Sequence, residues 1–516
     1  MTRNSGAVDH ETVVRIMADS TDGAAVLAAA QEAATGVPVV EVGTTGVHGL
    51  DPLVAVTRDG RTVYHAAVSP DRARTLVAAV DDESLPTDDA LAVVDHGSGQ
   101  ATLPMPAEGP LSHGTRHVLG PCGWVAPTVP QDYGEFVSPT VQDDPETALA
   151  TVRRVGLLGR GRGDARVDDP IAPAWETARD ADGESVVVVN ANESERGNRT
   201  DRTLLGSAPL AVLDGAVTVA HVIDADDVVV YLNETDEVVR RRVEGAVSAM
   251  AEDDWTIVPA VVTGPDRYIA GEPTMALESL EGNDRLEARL RPPGPATHGL
   301  YGRPTVVHTP RTFAQVRHLL QNPEDTTRFD PADADPGTRL VTVTGDVQSR
   351  VTLELPTGGS LATAREAVAV DGRFKMACVG GRFGGLTQSL DCSPSAPALA
   401  AADLGTEGVV QVCNDERCAV AVAGHRGRFA KDENCGRCVP CREGSKQLTN
   451  KLRAIYDGTY DGDGIRELTR VMRETSTCDF GRHAPRPVTT AMDRFETEFR
   501  AHADGRCPAG ACGGGQ

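Results

Sequence analysis

The stretch "DENCGRCVPCREGS", residues 432–445, sets Cys435, Cys438 and Cys441 at two consecutive three-residue steps. Steps of that length in a tight turn let neighbouring thiolates converge on one inorganic centre, and Gly436 and Pro440 supply turn chemistry between them. A fourth ligand must come from elsewhere. Cys478, 37 positions on (478 − 441), follows a helix-like run in "ETSTCDFG". C-x2-C-x2-C with one distant cysteine fits a 4Fe-4S cubane. Zinc fits less well, because a zinc ribbon carries two separated C-x2-C pairs, and thiols without metal are the third reading. Cys441 opens the helical run "REGSKQL", whose backbone N–H groups would stabilise a negatively charged centre. Of the remaining cysteines, Cys122, Cys378, Cys392, Cys413 and Cys418 read as small buried hydrophobes. Cys507 and Cys512 form a C-x4-C pair on a Gly-rich tail, which reads equally as a fragment of a further metal site or as nothing. Eleven cysteines, an odd number, without a signal peptide argue against a disulfide framework.

A second group suits a phosphate-bearing ligand. Gly156, Gly159, Gly161 and Gly163 in "VGLLGRGRGDA" would let backbone N–H groups approach a phosphate. Asn190, Asn192, Glu193 and Glu195 follow the apolar run "SVVVVN", at the carboxyl edge where an open α/β sheet places its ligand; an ordinary polar turn is the competing reading.

These residues need elements to hold them. Up to about residue 105, strand-like runs ("VPVVEVG", "LVAVTRDGRTVYHAAV") alternate with helical ones ("DGAAVLAAAQEAATG", "SPDRARTLVAAVDD"), which predicts a small α/β domain. Residues 100–120, rich in Pro, Gly and Ser, read as a linker. From about 145 to 335 the runs "SVVVVN", "APLAVLDGAVTVAHVI" and "DDVVVYLN", followed by "DEVVRRRVEGAVSAMAEDD", predict a parallel α/β sheet. Arg240, Arg241 and Arg242 read as a solvated helix face. "RLVTVTGDV" and "RVTLELPTGGSLATAREAV" predict two strands and a helix in a small sheet domain over 336–415. Three or four helices follow from about 416, and the tail 506–516 reads as disordered.

At this point a resemblance covers about residues 115–505. The chain resembles the NADH- and FMN-binding flavoprotein subunit of respiratory complex I and the related subunits of soluble hydrogenases and formate dehydrogenases. "CGWVAPTVPQDY", "VGLLGRGRGDA", "VVVVNANESERGNRTDR", "RYIAGEPTMALESLEG" and "NCGRCVPCREGS" match that family's motifs in order. The resemblance implies a multidomain α/β fold: a degenerate thioredoxin-like domain (1–105), an FMN-binding α/β domain (106–335), a β-grasp (SLBB-like) domain (336–415) and a C-terminal helical bundle with an iron-sulfur cluster (416–505). It implies Cys435, Cys438, Cys441 and Cys478 as ligands of a 4Fe-4S cluster. For FMN and NADH it implies Gly159, Arg160, Gly161, Gly163, Asn190, Asn192, Glu193, Glu195, Tyr268, Gly271, Glu272, His308 and Thr309. There are departures. The loop continues "DARVDDPIAPAW" where the family has an aromatic ring and a lysine; Pro273 replaces a glutamate, Gly294 a phenylalanine, and His308 and Thr309 two asparagines. "TTGVHGLDP" carries Thr44 and His48 where the associated thioredoxin-like domain has 2Fe-2S thiolates, so that cluster is expected to be lost.

Composition narrows the possibilities. With 516 residues the chain is expected to form several domains. No apolar run reaches the roughly 18 residues of a membrane span, so a cytoplasmic chain is expected, reaching a membrane only through a partner. A net charge of −25 excludes nonspecific nucleic-acid binding. The basic side is nearly all arginine, with Lys375, Lys431, Lys446 and Lys451 the only lysines against 75 acidic residues, the pattern expected of a cytoplasm kept at high salt. The leading expectation is an electron-transfer oxidoreductase subunit that passes electrons from NADH through FMN and a 4Fe-4S cluster to an acceptor subunit of a larger redox complex. The alternatives are an iron-sulfur electron wire or scaffold that has lost NADH binding, with or without loss of FMN, or a zinc-stabilised regulatory module.

Overall fold

The computed structural model describes residues 12–97, 99–161, 168–325 and 327–512. Three sheets and a helical bundle follow one another along the chain. The first sheet has the order β2-β1-β3-β4-β5, from β1 (Thr12–Met17), β2 (Val39–Val42), β3 (Val54–Arg58), β4 (Arg61–His65) and β5 (Ala92–Asp95). β1 and β2 are parallel and the other pairs antiparallel. Asp59 and Gly60 both take positive φ in the β3–β4 hairpin, the two-residue turn an Asp-Gly pair favours. Helices Thr21–Ala33 and Pro70–Asp81, capped by Ser20 and Ser69, pack Val26, Ala30, Leu76 and Val77 on Val14, Ile16 and Val56 of the sheet.

The central sheet is wholly parallel, as its apolar runs predict: β6 (Val186–Ala191), β7 (Asp227–Asn233), β8 (Ala260–Gly264) and β9 (Thr305–His308), in the order β8-β7-β6-β9. The chain runs outward from β6 to β8 and then returns to the other side of β6. The order therefore reverses between β6 and β9, and the crevice beyond their carboxyl ends is where a doubly wound sheet binds its ligand. "PLAVLDGAVTVAHV" forms the helix Pro209–Val222, buried at every residue but His221. A Cβ on Gly215 would lie 2.1 Å from the Phe313 carbonyl, so glycine permits the close crossing with helix Pro310–Gln321.

The third sheet is larger than expected, with five strands in the order β11-β10-β14-β12-β13: β10 (Thr338–Gly345), β11 (Val351–Pro356), β12 (Phe374–Val379), β13 (Gly385–Thr387) and β14 (Val409–Asn414). After it come six helices where three or four were expected: Ala419–Glu433, Val439–Tyr456, Gly462–Thr475, Asp479–His483, Arg486–Arg494 and Glu496–Ala503. The run "PVTTAMDRFETEFRAHAD" breaks at Phe495.

Two further expectations are corrected. Residues 100–120 are not a loose linker: Leu103, Leu111, Val118 and Leu119 are buried, and the backbone N–H groups of His117, Val118 and Leu119 donate to the Glu354 carboxylate of β11 at 2.9 Å. Arg240 and Arg241 are exposed, but Arg242 is buried and pairs with Asp19 and with Glu41 (2.9 Å) of the first unit. It lies one turn from Val239 and Ala246 and next to Val243 on the apolar stripe of helix Glu237–Glu252, so its head is directed at the neighbouring unit. No single helix among the described residues is long and apolar enough to cross a membrane.

Candidate functional site

The four expected ligand cysteines meet where three helices end or begin. Helix Ala419–Glu433 stops at Asn434, whose amide donates to the Ala430 and Lys431 carbonyls while its oxygen accepts from Gly436 N–H at 3.0 Å. Gly436 has φ +78°, and Arg442 holds its carbonyl at 2.7 Å, which fixes the turn carrying Cys435 and Cys438. Cys438 is the N-cap of helix Val439–Tyr456, and Cys478 is the N-cap of helix Asp479–His483. Cys441 is buried and the other three are half-buried.

Their electrostatics are shared. A hydrogen bond from Cys441, with help from the backbone of Thr477, brings the Cys438 thiol down to about 5. The same bond, burial and the neighbouring Cys478 and Cys435 push Cys441 strongly up. Burial and the nearby Glu272 carboxylate push Cys478 up to about 12. Four like charges cannot coexist there without a cation to hold them. The space between the cysteines is kept by glycine: a Cβ on Gly481 would lie 2.9 Å from the Cys441 Cβ and 2.5 Å from the Ser476 Oγ. Donor chemistry and cradle both fit a thiolate-bound cluster.

The second group is brought together only in part. Asn190, Asn192, Glu193, Glu195, Gly271, His308 and Thr309 line one narrow cleft at the carboxyl ends of β6 and β9. Asn190 donates to the Gly271 carbonyl at 2.9 Å, and its Oδ1 is buried without a hydrogen-bond partner among the described residues. Glu193 accepts from the backbone N–H groups of Asp201 and Arg202 and so caps helix Thr200–Ser207. Glu195 accepts from Gly197 N–H and pairs with Arg382 at 3.1 Å. His308 accepts from Trp175 Nε1 at 2.9 Å through Nε2, and burial pulls it down to about 4, so the ring is neutral near pH 7.

The glycine loop differs from expectation. The Arg160 guanidinium is buried, paired with Asp335 at 2.7 Å and donating to the Thr338 and Pro336 carbonyls, so its charge braces β10 instead of facing a ligand. Gly159 N–H donates to the Asp169 carbonyl and Arg160 N–H to Thr312 Oγ1, which leaves neither for a phosphate. Gly161 follows them, and Gly163 lies outside the described residues.

Tyr268 and Glu272 stand between the cleft and the cysteines. The Tyr268 ring packs edge-on against Phe429, Phe383 and Phe480 at 4.9, 5.7 and 6.1 Å, and Phe480 is two residues from Cys478. The Glu272 carboxylate caps helix Pro273–Leu280 and pairs with Arg291. A cavity of about 1070 Å³ adjoins the cleft, and Glu195 lines both. Arg199, Arg202, Arg350, Arg382 and Arg426 face the cavity together with Asp19, Asp51, Asp236 and Glu237, and it is large enough for a dinucleotide. Sequence reasoning missed Arg382, although its setting in "VGGRFGG" marked an unusual turn. Thr44 and His48 reach the same cavity: Thr44 Oγ1 accepts from Gly46 N–H, and His48 lies 3.7 Å from Asp51.

Residues 152–318, which contain the cleft, match the family described as the Nuo51 FMN-binding domain, and residues 421–502, which contain the four cysteines, match the NADH-ubiquinone oxidoreductase-F iron-sulfur binding region. The F component of the NADH-quinone oxidoreductase of Streptomyces coelicolor is 32% identical over 391 residues, 70% of this chain and 85% of that protein. The chain belongs to this NADH-quinone oxidoreductase flavoprotein family. As a member it is an oxidoreductase-type electron-transfer subunit with an FMN-binding domain and a 4Fe-4S-binding region. The NADP-reducing hydrogenase subunit HndC of Solidesulfovibrio fructosivorans is 30% identical over 76% of this chain and 84% of its own length. The crystal structure of an NAD+-reducing [NiFe]-hydrogenase in the H2-reduced state superposes with a TM-score of 0.63 at 25% identity, over 95% of this chain and 85% of that one. The match to the family's iron-sulfur binding region ends at His502, short of Cys507 and Cys512.

Proposed function

We propose that this chain takes two electrons from NADH and delivers them one at a time to an acceptor subunit of a larger redox complex, with Cys435, Cys438, Cys441 and Cys478 holding the cluster. The observation that carries this reading is the alignment of three features: the cleft at the β6/β9 crevice, the Tyr268 aromatic group behind it, and the four-cysteine turn behind that. When bound, FMN exchanges a hydride with NADH and single electrons with a 4Fe-4S cluster, which converts a two-electron donor into a one-electron supply.

The protein's own residues have separable tasks. Asn190 Oδ1 offers an acceptor in the cleft for a flavin ring N–H. Glu195, held by Arg382, divides the cleft from the larger cavity and orients a nicotinamide there, while Arg199 and Arg350 balance the phosphates of the dinucleotide and Arg202 stays bonded to Asp236 at 2.8 Å. His308, neutral and tied to Trp175, closes the β9 side without adding charge. The backbone amides at the N-termini of helices Val439–Tyr456 and Asp479–His483 favour the anionic cluster. The two helices over the mixed first sheet support a thioredoxin-like ancestry for that unit, and the mixed third sheet supports a β-grasp reading.

A second reading, an electron wire that no longer reacts with NADH, is favoured by the internal use of the Arg160 side chain and of the Gly159 and Arg160 amides. The test is anaerobic purification in high salt, with iron, sulfide and flavin measured per chain and visible spectra taken before and after NADH. Flavin bleached by NADH, and by dithionite but not NADH in Glu195→Gln, supports the dehydrogenase. A flavin that only dithionite reduces in the unaltered protein removes NADH as donor, and iron without flavin leaves the wire.

A further inference from the structure

Four metal-ligating side chains outside the site described above converge at the far end of the helical bundle. Cys418, His502, Cys507 and Cys512 place one donor atom each within 4.8 Å of all the others. The first two are buried and the last two half-buried. Cys418 Sγ lies 3.3 Å from His502 Nε2. His502 Nδ1 is bonded to the Glu498 carbonyl at 2.7 Å, which puts the ring proton on Nδ1 and leaves the Nε2 lone pair facing the sulfurs.

Chain geometry builds the site from three directions. Cys418 is the N-cap of helix Ala419–Glu433, and its sulfur accepts from Ala421 N–H at 3.3 Å. His502 comes from helix Glu496–Ala503, which is locked to that cap because the Glu498 carboxylate accepts from Ala419 N–H and pairs with Lys375 at 2.7 Å. Cys507 and Cys512 bracket a turn in which Gly510, at φ +65°, donates to the Cys507 carbonyl at 3.0 Å, and the backbone N–H groups of Cys512, Ala509 and Ala511 approach the Cys507 sulfur. Sulfur accepting backbone N–H bonds inside a knuckle turn is what a thiolate ligand requires, and buried free thiols need no such turn. The spacings His-x4-Cys and Cys-x4-Cys fall within the range of structural zinc sites.

We propose that Cys418, His502, Cys507 and Cys512 bind one zinc ion in a Cys3His tetrahedron that fastens the C-terminal tail to the bundle. A tetrahedral centre with bonds of about 2.3 Å to sulfur and 2.0–2.1 Å to nitrogen sets its donors about 3.5–3.8 Å apart, a spacing the four atoms reach with small movements, whereas a cubane binds each thiolate to a different iron and spreads them more widely. Binding releases the three thiol protons to solvent and changes no oxidation state. The site stands at the opposite end of helix Ala419–Glu433 from the Cys435 turn, about 22 Å away for 15 residues at 1.5 Å each. It therefore holds the helix that presents the cluster and takes no electrons.

The test is metal analysis of the full-length protein purified anaerobically without chelator, beside the double variant Cys507→Ser/Cys512→Ser. About one zinc per chain is expected in addition to the iron, falling at least about tenfold in the variant while iron content and the cluster's visible and EPR signals stay. Zinc K-edge absorption of the unaltered protein should show three sulfurs and one nitrogen, and that result decides the matter if the variant loses its iron through misfolding. The proposal is overturned by unaltered protein that contains no zinc, by a Cys507–Cys512 disulfide, by zinc retained in the variant, or by an additional iron in its place.

Discussion

Gly481 is the position where one carbon atom should separate the cluster from the fold. An ideal Cβ there would lie 2.5 Å from Ser476 Oγ, 2.7 Å from Ser476 Cβ and 2.9 Å from Cys441 Cβ. Carbon atoms pack best at about 3.5–4.0 Å, so in Gly481→Ala the helix carrying Cys478 must retreat from Cys441 by roughly 1 Å. Ligand distances in metal sites tolerate about 0.2 Å. Overpacking of this kind costs about 1–3 kcal/mol, and at about 1.4 kcal/mol per factor of ten the loaded form should lose about 5- to 140-fold against the empty one. The matched control is Gly424→Ala in helix Ala419–Glu433, where a Cβ meets nothing within 4 Å and alanine should add about 0.5–1 kcal/mol of helix stability. Both variants would be purified anaerobically, with iron per chain and the cluster absorbance measured after graded chelator exposure. If Gly481→Ala kept its iron as long as Gly424→Ala does, the cradle between Cys441 and Cys478 would not be what limits the cluster, and the steric reasoning would be wrong.

Replacing Arg242 by Met should leave Asp19 and Glu41 facing each other; because both carboxylates are partly hydrated, the loss should be about 1–3 kcal/mol rather than the full cost of a buried pair, read as faster proteolytic release of residues 12–97 at unchanged iron content. Arg311→Met should be costlier, about 3–5 kcal/mol at pH 8, since Arg311 and Asp201 are both buried and paired at 2.9 Å. Burial already pushes Asp201 up and Arg311 opposes it, so without the cation its folded pKa rises further. Both folded forms then keep the Asp201 proton up to about pH 7, where the unaltered protein releases it and the variant does not, so denaturant midpoints should show the deficit growing only as pH rises above about 7; a deficit independent of pH there would refute the assignment. The net charge of −25 predicts a thermal midpoint that climbs between about 0.1 and 1 M KCl, as the screening length falls from about 10 to 3 Å; equal midpoints would remove the high-salt reading of the composition.

What could be read from the sequence was what depends on local spacing. Three cysteines in seven residues named their own geometry, and uninterrupted valines in β6 and β7 required a sheet buried on both faces. The number of strands in the third sheet was not readable, because β13 is three residues long and sits in glycines that resemble a loop. Arg242 carried a signal that the run of three arginines concealed: helical spacing puts it beside Val239, Val243 and Ala246, while Arg240 and Arg241 point away. Arg160 looked like a ligand contact because it stands among glycines, yet its partner Asp335 lies far along the chain. Cys418 looked like a buried hydrophobe for the same reason, with His502 84 residues further on. Asn190 near the end of β6 and Asn192, Glu193 and Glu195 just beyond it share the cleft because they sit at one strand end, a local relation, whereas the helix-capping role of Glu193 depends on where the next helix begins.

The clamp on residues 117–119 has a bearing on how the chain is made. Three successive amides share one acceptor, Glu354, which arrives 235 residues after Leu119. A ribosome adding about 5–20 residues per second needs roughly 12–47 s to cover that interval. Throughout it the segment leading into the central sheet has no partner for those amides and borrows water. The first unit, whose sheet and two helices are complete by residue 95, has time to form alone, whereas the central sheet gains its fixed approach only when β11 emerges. A chain stalled or cut before residue 354 should therefore yield an ordered first unit followed by a protease-sensitive stretch, a biosynthetic checkpoint set by a single carboxylate.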